Sequence, residues 1–187
     1  MKSVQPDQAG NLEFLQPYKV DSEIFSLSSS EQVSIQKYFL RFKPWTGNPI
    51  PFDFGRKPIL DNDGEPVFAE LAILRLFLNS GFDGVWVETY GGVHYLRSMP
   101  KNWSLKSEHI SIPTEKEDLL KRIWDKEKTR ACFDVVIWKN DKIYFCEAKR
   151  SKKDRLTDAQ KRFIEGALSL GISIESFLII EWDFLGK

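Results

Sequence analysis

The sequence predicts an α/β (α+β) domain in which a mixed sheet is flanked by helices, and three observations carry that expectation. The first is a pair of strands at 133–138 and 143–146, apolar on both faces and joined by the turn residues Asn140 and Asp141. Such strands are covered on both sides. The second is residues 68–78, a helical stretch that is apolar nearly all round and must therefore be buried. The third is an amphipathic helix at about 158–170, followed by a strand at 176–182. Leaving aside one irregular stretch, the order is helix, three strands, helix, strand.

At 187 residues the chain fits one domain with a substantial core. Six Trp and a 42% hydrophobic share exclude intrinsic disorder. The formal net charge is zero, so no global field attracts nucleic acid and any such binding needs a local patch. Cys132 and Cys146 fall within the predicted strand region and read as small core hydrophobes, with neither a disulfide framework nor zinc-ligand spacing. No signal core and no apolar run of membrane-spanning length stands out, so the expected chain is soluble and cytoplasmic with no membrane partner.

Taken in order, residues 1–65 read as an N-terminal irregular arm packed on a domain at 66–187. Within the arm, Ser28 and Glu31 have capping-box spacing for a helix, yet 32–42 also suits a strand. Residues 44–66 are rich in Pro, Gly, Asn and Asp and carry Trp45, Phe52 and Phe54, which suggests an aromatic-packed irregular segment without chemistry. The helix at 68–78 has Asp63 or Glu65-Pro66 near its start and Gly81 past its end; Glu70 and Arg75 are its charged residues. Residues 85–89 form the next strand, and about 91–128 is an insertion. It holds His94 and His109, which have no ligand spacing and read as incidental, and a charged helix at 114–128 opened by a Thr114–Glu117 capping box. Thr157 and Gln160 form another capping box, and Gly171 ends the helix they open.

The candidate chemistry sits at the open end of the central hairpin. A two-residue loop at Asn140-Asp141 faces Lys139 with Lys142, and the same register sets Asp134 across from Glu147. Facing residues share a side of the sheet, and period two adds Lys149 to that side. Two opposed carboxylates repel unless a positive group sits between them. A hard divalent cation, Mg²⁺ or Mn²⁺, suits carboxylate and water oxygens. Lys149 could then orient a water or stabilise charge on a phosphate. The plain alternative is a surface ion pair at a strand end, and for Glu70 a place on the solvent face of its helix. Between Lys139 and Arg162, nine Lys or Arg oppose four Asp or Glu, so a basic patch adjoins the carboxylates. Its alternative reading is a solvated turn.

Asp134 followed by Glu147-Ala148-Lys149, in this element order, resembles the PD-(D/E)XK nuclease superfamily with its restriction-endonuclease-like core. Glu147-Ala148-Lys149-Arg150, the basic turn, Asp154, Leu156 and Gln160 further resemble its virus-type replication-repair nuclease (VRR-NUC) group. The likeness runs over about 68–182; Phe133 stands where the motif name has proline.

The resemblance implies Asp134 and Glu147 as ligands of Mg²⁺ or Mn²⁺, with the Ala148 carbonyl beside them and Lys149 as the catalytic lysine. It also implies Glu70 near the metal and Gln160 as a site glutamine, a residue its capping box equally accounts for. Arg150, Lys152, Lys153 and Arg155 would hold the phosphates. The expected activity is metal-dependent hydrolysis of DNA, by a structure-selective endonuclease that can act as a homodimer. The competing expectations are an RNA-directed nuclease and a non-catalytic nucleic-acid-binding or interaction module on the same fold.

Overall fold

A computed structural model describes residues 12–50, 57–90, 93–100, 109–128, 131–151 and 155–186. A short 3-10 turn at Glu13–Tyr18 leads into strands β1 (Lys19–Ser26) and β2 (Gln32–Pro44). A small hairpin, β3 (Leu60–Asn62) and β4 (Glu65–Val67), precedes helix α1 (Ala69–Asn79). Next come β5 (Asp83–Tyr90), β6 (Val93–Arg97) and helix α2 (Thr114–Glu127). The chain then forms β7 (Val135–Lys139), β8 (Lys142–Arg150), helix α3 (Asp158–Ser169) and β9 (Phe177–Phe184).

The strands among the described residues make one mixed sheet in the order β4-β3-β2-β9-β8-β7-β5-β6, with β1 paired to β2. β9 runs parallel to both of its neighbours, β2 and β8, and the other pairs are antiparallel. Helices flank both faces, as the two-sided apolar strands require. On one side α1 buries Phe68, Leu71, Leu74 and Phe77 with Val135, Ile137, Cys146 and Ile180. Gly84 lets this helix approach: a Cβ there would lie 2.7 Å from Ile137 and 3.0 Å from Leu74. On the other side α2 and α3 bury Leu120, Ile123, Phe163 and Ala167 with Val136, Trp138 and Ile179. Four phenylalanines centre that layer, with Phe145 stacked on Phe177 at 5.1 Å and Phe133 and Phe163 edge-on or tilted against them.

The predicted hairpin register is present from Lys139↔Lys142 to Val135↔Cys146, with Asn140 at φ +53 in the turn. Five expectations are corrected. The N-terminal arm is not irregular over 19–44, because β1 and β2 belong to the sheet. The strand alternative for 32–42 is the one observed, and Ser28 with Glu31 opens no helix; β2 pairs β1 over Gln32–Tyr38 and β3 at Lys43 and Pro44, with β9 alongside over Gln36–Phe42. Ile35 enters one core layer and Tyr38 and Leu40 the other, as strand alternation requires, so the buried positions lie on both faces and show no single-face repeat.

Asp63 and Pro66 belong to the β3–β4 hairpin, where Asp63 and Gly64 both take positive φ; they do not open α1. α2 has Pro113 at its N-cap without a side-chain bond, so Thr114 lies inside the first turn and forms no capping box. Within the insertion, Val93–Arg97 is a strand, β6, antiparallel to β5. His94 there faces Thr89, to which its Nδ1 is hydrogen-bonded at 3.0 Å, and stacks on Trp124 at 4.1 Å. Cys132 precedes β7 instead of lying within it, Cys146 is buried in β8, and both are free thiols. Among the described residues no helix is long and apolar enough to cross a membrane.

Candidate active site

β8 carries side chains alternately to the two core layers, and its far end extends beyond the β7 ladder. Ile143 and Phe145 face α2 and α3, so Glu147 and Lys149 follow on that side. Both are buried, at 4% and 7% exposure, deep enough that their charges need partners. Lys149 Nζ lies 3.0 Å from Glu147 Oε1 and donates to Gln160 Oε1 at 3.2 Å. Gln160 Nε2 donates to Glu147 Oε1 at 2.5 Å. The three residues form a closed triangle between strand and helix.

The start of α3 fixes that triangle. Thr157 Oγ1 accepts from the Gln160 backbone N–H at 3.2 Å, and Gln160 Oε1 accepts from the Thr157 N–H at 3.0 Å. The capping box is therefore complete, and its glutamine also reaches the strand. Donors from Thr157 and Lys149 both point at Oε1, so the amide orientation is dictated by its neighbours and Nε2 is left for Glu147. The two roles foreseen for Gln160, cap and site residue, are filled by one side chain.

Asp134 lies one residue before the β7 ladder. Its backbone carbonyl still accepts from Val87 N–H on β5 at 2.8 Å, while its Oδ2 accepts from Ala148 N–H on β8 at 2.9 Å. In an extended strand the N–H and C=O of a residue leave by the same edge, so the Ala148 carbonyl is directed to the Asp134 side as well. Being off the ladder, Asp134 is not confined to the α3 face as the register alone implies. Its carboxylate lies along the strand edge, where charges from both layers act on it.

Those charges are mostly negative. Burial, then the charges of Glu147 and Glu70, push the Asp134 carboxyl well above its ordinary range, although part of the residue reaches solvent. Lys57 and the Ala148 amide oppose that shift. Burial also raises Glu147, against the pull of Lys149, Gln160 and the Asp134 amide. Glu147 Oε2 is buried and makes no hydrogen bond. A buried, unsatisfied carboxylate oxygen is a rare and costly arrangement.

Glu70, in the first turn of α1, points toward this end of the sheet, where it is ion-paired with Lys57. It is not on a solvent face, since its side chain is only 13% exposed. Lys57 was not legible as a site residue. It comes from the Pro- and Gly-rich stretch, and no spacing links it to Glu70 or Asp134. Its ammonium lies 4.8 Å over the Phe68 ring. Two cavities meet at it. One, of about 450 Å³, is lined by Lys57, Trp86, Asp134, Thr157 and Gln160. The other, of about 190 Å³, is lined by Lys57, Glu70, Ala148, Arg150 and Trp182.

The expected phosphate-binding residues divide. Arg150 faces the α1 side, its guanidinium over Trp182 and Phe184 at 5.5 and 5.4 Å and its Nε 3.9 Å from Asp183. Arg155 is exposed at the entrance to α3. Lys152 and Lys153 lie outside the described residues.

Among the described residues no three His, Cys, Asp or Glu side chains converge as a ready-made ligand set. Magnesium, however, is commonly held through one or two carboxylates with water completing its shell. Asp134 and Glu147 fit that demand. Their oxygens are hard donors, both disfavour carrying charge unaided, and Glu147 Oε2 has a vacant acceptor site. Comparison with protein-family models, with curated proteins and with solved structures gives no match for this chain.

Proposed function

We propose that this chain is a divalent-metal-dependent nuclease that hydrolyses phosphodiester bonds in DNA, of the VRR-NUC kind within the PD-(D/E)XK superfamily and selective for DNA structure. The observation that carries the reading is the buried Glu147, with one oxygen unsatisfied, beside the half-buried Asp134 and a lysine fixed by Gln160. A fold needing only an ion pair here has no use for the second carboxylate. Mutual repulsion and burial both work against it.

Asp134 and Glu147 would hold Mg²⁺ or Mn²⁺, with the Ala148 carbonyl at the same edge. The cation, when bound, supplies Lewis-acid polarisation of the phosphate and lowers the proton affinity of water. Lys149 spends two N–H groups on Glu147 and Gln160 and keeps a third for a phosphate oxygen. It is held before substrate arrives, so little reorganisation accompanies charge build-up in the transition state. Glu147 orients Lys149, and Gln160 keeps both in place. Arg155 and the basic turn would hold flanking phosphates, with affinity that falls as salt rises.

The test is cleavage of labelled linear, flapped and four-way DNA in Mg²⁺, Mn²⁺ or EDTA. Wild type is expected to cut only with metal, and Asp134→Asn and Lys149→Ala are each expected to lose about 10²–10³-fold in rate, the scale of one transition-state charge contact. Metal-independent cutting, or full activity in both variants, refutes the reading. Binding of DNA without any cutting would favour the non-catalytic module, and cutting confined to RNA would reassign the substrate.

A further inference from the structure

Two ion pairs, Lys149–Glu147 and Lys57–Glu70, act on either side of Asp134, and the two lysines are held very differently. Lys149 is buried and bound to two partners on the α3 side. Lys57 is 37% exposed, comes from outside the helices and the central strands, pairs with Glu70 and lines both cavities. Its charge also reaches Asp134, which is why it opposes the upward shift of that carboxyl.

We propose that Lys57 is the resident counter-ion of this centre, pairing with Glu70 in the cation-free protein and competing with an incoming divalent cation for that carboxylate. The inference rests on the metal-site reading above and concerns how that site is regulated. Among the described residues Asp134 is bound by a backbone amide and by no ammonium, so the strongest place for a divalent cation lies beside it, and a cation there repels Lys57. The same cation attracts Glu70. Both effects break the Lys57–Glu70 pair in favour of Glu70 turning to the metal. Lys57, once released, already borders both cavities, so its ammonium is free to meet a phosphate of the substrate without crossing the protein. The chain thus carries a built-in threshold for metal, and substrate phosphate lowers it by taking up the displaced lysine.

The test is calorimetric titration of Mn²⁺ into the metal-free full chain, with a melting curve of each variant in EDTA as a folding control. Lys57→Met is expected to tighten Mn²⁺ about fivefold, and Lys57→Arg to bind as wild type does, at the low end of coupling between sites. In the Glu70→Gln background, Lys57→Met is expected to tighten Mn²⁺ by clearly less than in the wild-type background, because the contested carboxylate is gone and only the direct repulsion between Lys57 and the cation remains. Lys57→Gln gives the same reading should the methionine variant melt early. Mn²⁺ binding that is unchanged or weaker in both neutral variants overturns the role of Lys57 and leaves the metal site standing. Absence of Mn²⁺ binding in wild type and every variant overturns both. Binding only after Lys57 is neutralised would establish the competition in its strongest form.

Discussion

Two helices deliver their first turns to the same end of the sheet, and they do so with opposite stiffness. α3 begins with a complete capping box, and its Gln160 is tied at once to its own N-cap, to Glu147 and to Lys149. α1 begins at Phe68 with no side-chain cap, and its Glu70 is tied to Lys57, which is partly exposed. The α3 half of the site is fixed from its backbone outward. The α1 half is held by one ion pair near the surface, and such pairs contribute only about 0–1 kcal/mol. A centre that must be rigid where charge is stabilised and yielding where a cation enters is well served by this division.

The largest effect expected from breaking the comparison is at Asp134, which both halves act upon. Asp134→Asn keeps an acceptor for the Ala148 amide but removes a carboxylate that burial and two neighbouring charges disfavour. The metal-free protein should melt a few degrees higher, on the order of 1–2 kcal/mol, while cleavage falls about 10²–10³-fold. A lower melting temperature in EDTA would show that the charge is stabilising after all. Next is the rigid half. Gln160→Ala removes the cap partner and leaves buried donors and acceptors on Lys149 and Glu147 unmet, a loss of about 2–3 kcal/mol by chemical denaturation, with cleavage down about tenfold or more. Thr157→Ala should lose only the cap contribution, about 1 kcal/mol, and leave the rate nearly unchanged. Equal rate losses in the two would mean that Gln160 acts on the chemistry only through the helix end.

The smallest effect lies outside both halves and serves as a control. Burial lowers the pKa of His94, stacked on Trp124, below its ordinary 6.5. Its unfolded form therefore takes up a proton first as pH falls, so the stability of the folded chain declines from about pH 6.5 downward and the loss levels off below the folded-state pKa. His94→Phe should flatten that part of a melting-temperature profile and leave any metal dependence unchanged. A profile altered only when Mn²⁺ is present would couple β6 to the site.

The residues that could be read in advance are those whose roles follow from local spacing. Asp134, Glu147 and Lys149 follow from the geometry of a two-residue loop, and the register is observed up to Val135↔Cys146. Gln160 follows from its offset from Thr157. α1 and α3 are each displaced by no more than about a residue from their apolar and capping signals. Roles set by distant chain segments were not legible. β2 could be read only as one of two alternatives, helix or strand, because it serves three neighbours and two core layers. Lys57 looks like loop chemistry because its partner is created by the approach of α1 to the sheet end. Arg150 reads as part of a basic run, yet strand alternation turns it to the opposite side from Lys149, onto Trp182 and Phe184.

The parallel placement of β9 has a consequence for how the molecule is made. β9 lies between β2 and β8, joining Gln36–Phe42 to Leu178–Phe184 across most of the chain. Until it is synthesised, β1 and β2 have no seat beside β8, and one edge of β8 stays open. Contacts of such sequence separation form slowly. Without β9 the described strands form two unjoined sheet fragments, β1–β4 and β5–β8. The central strand is the last to arrive, so the N-terminal strands are joined to the rest of the sheet in the same late step that covers β8.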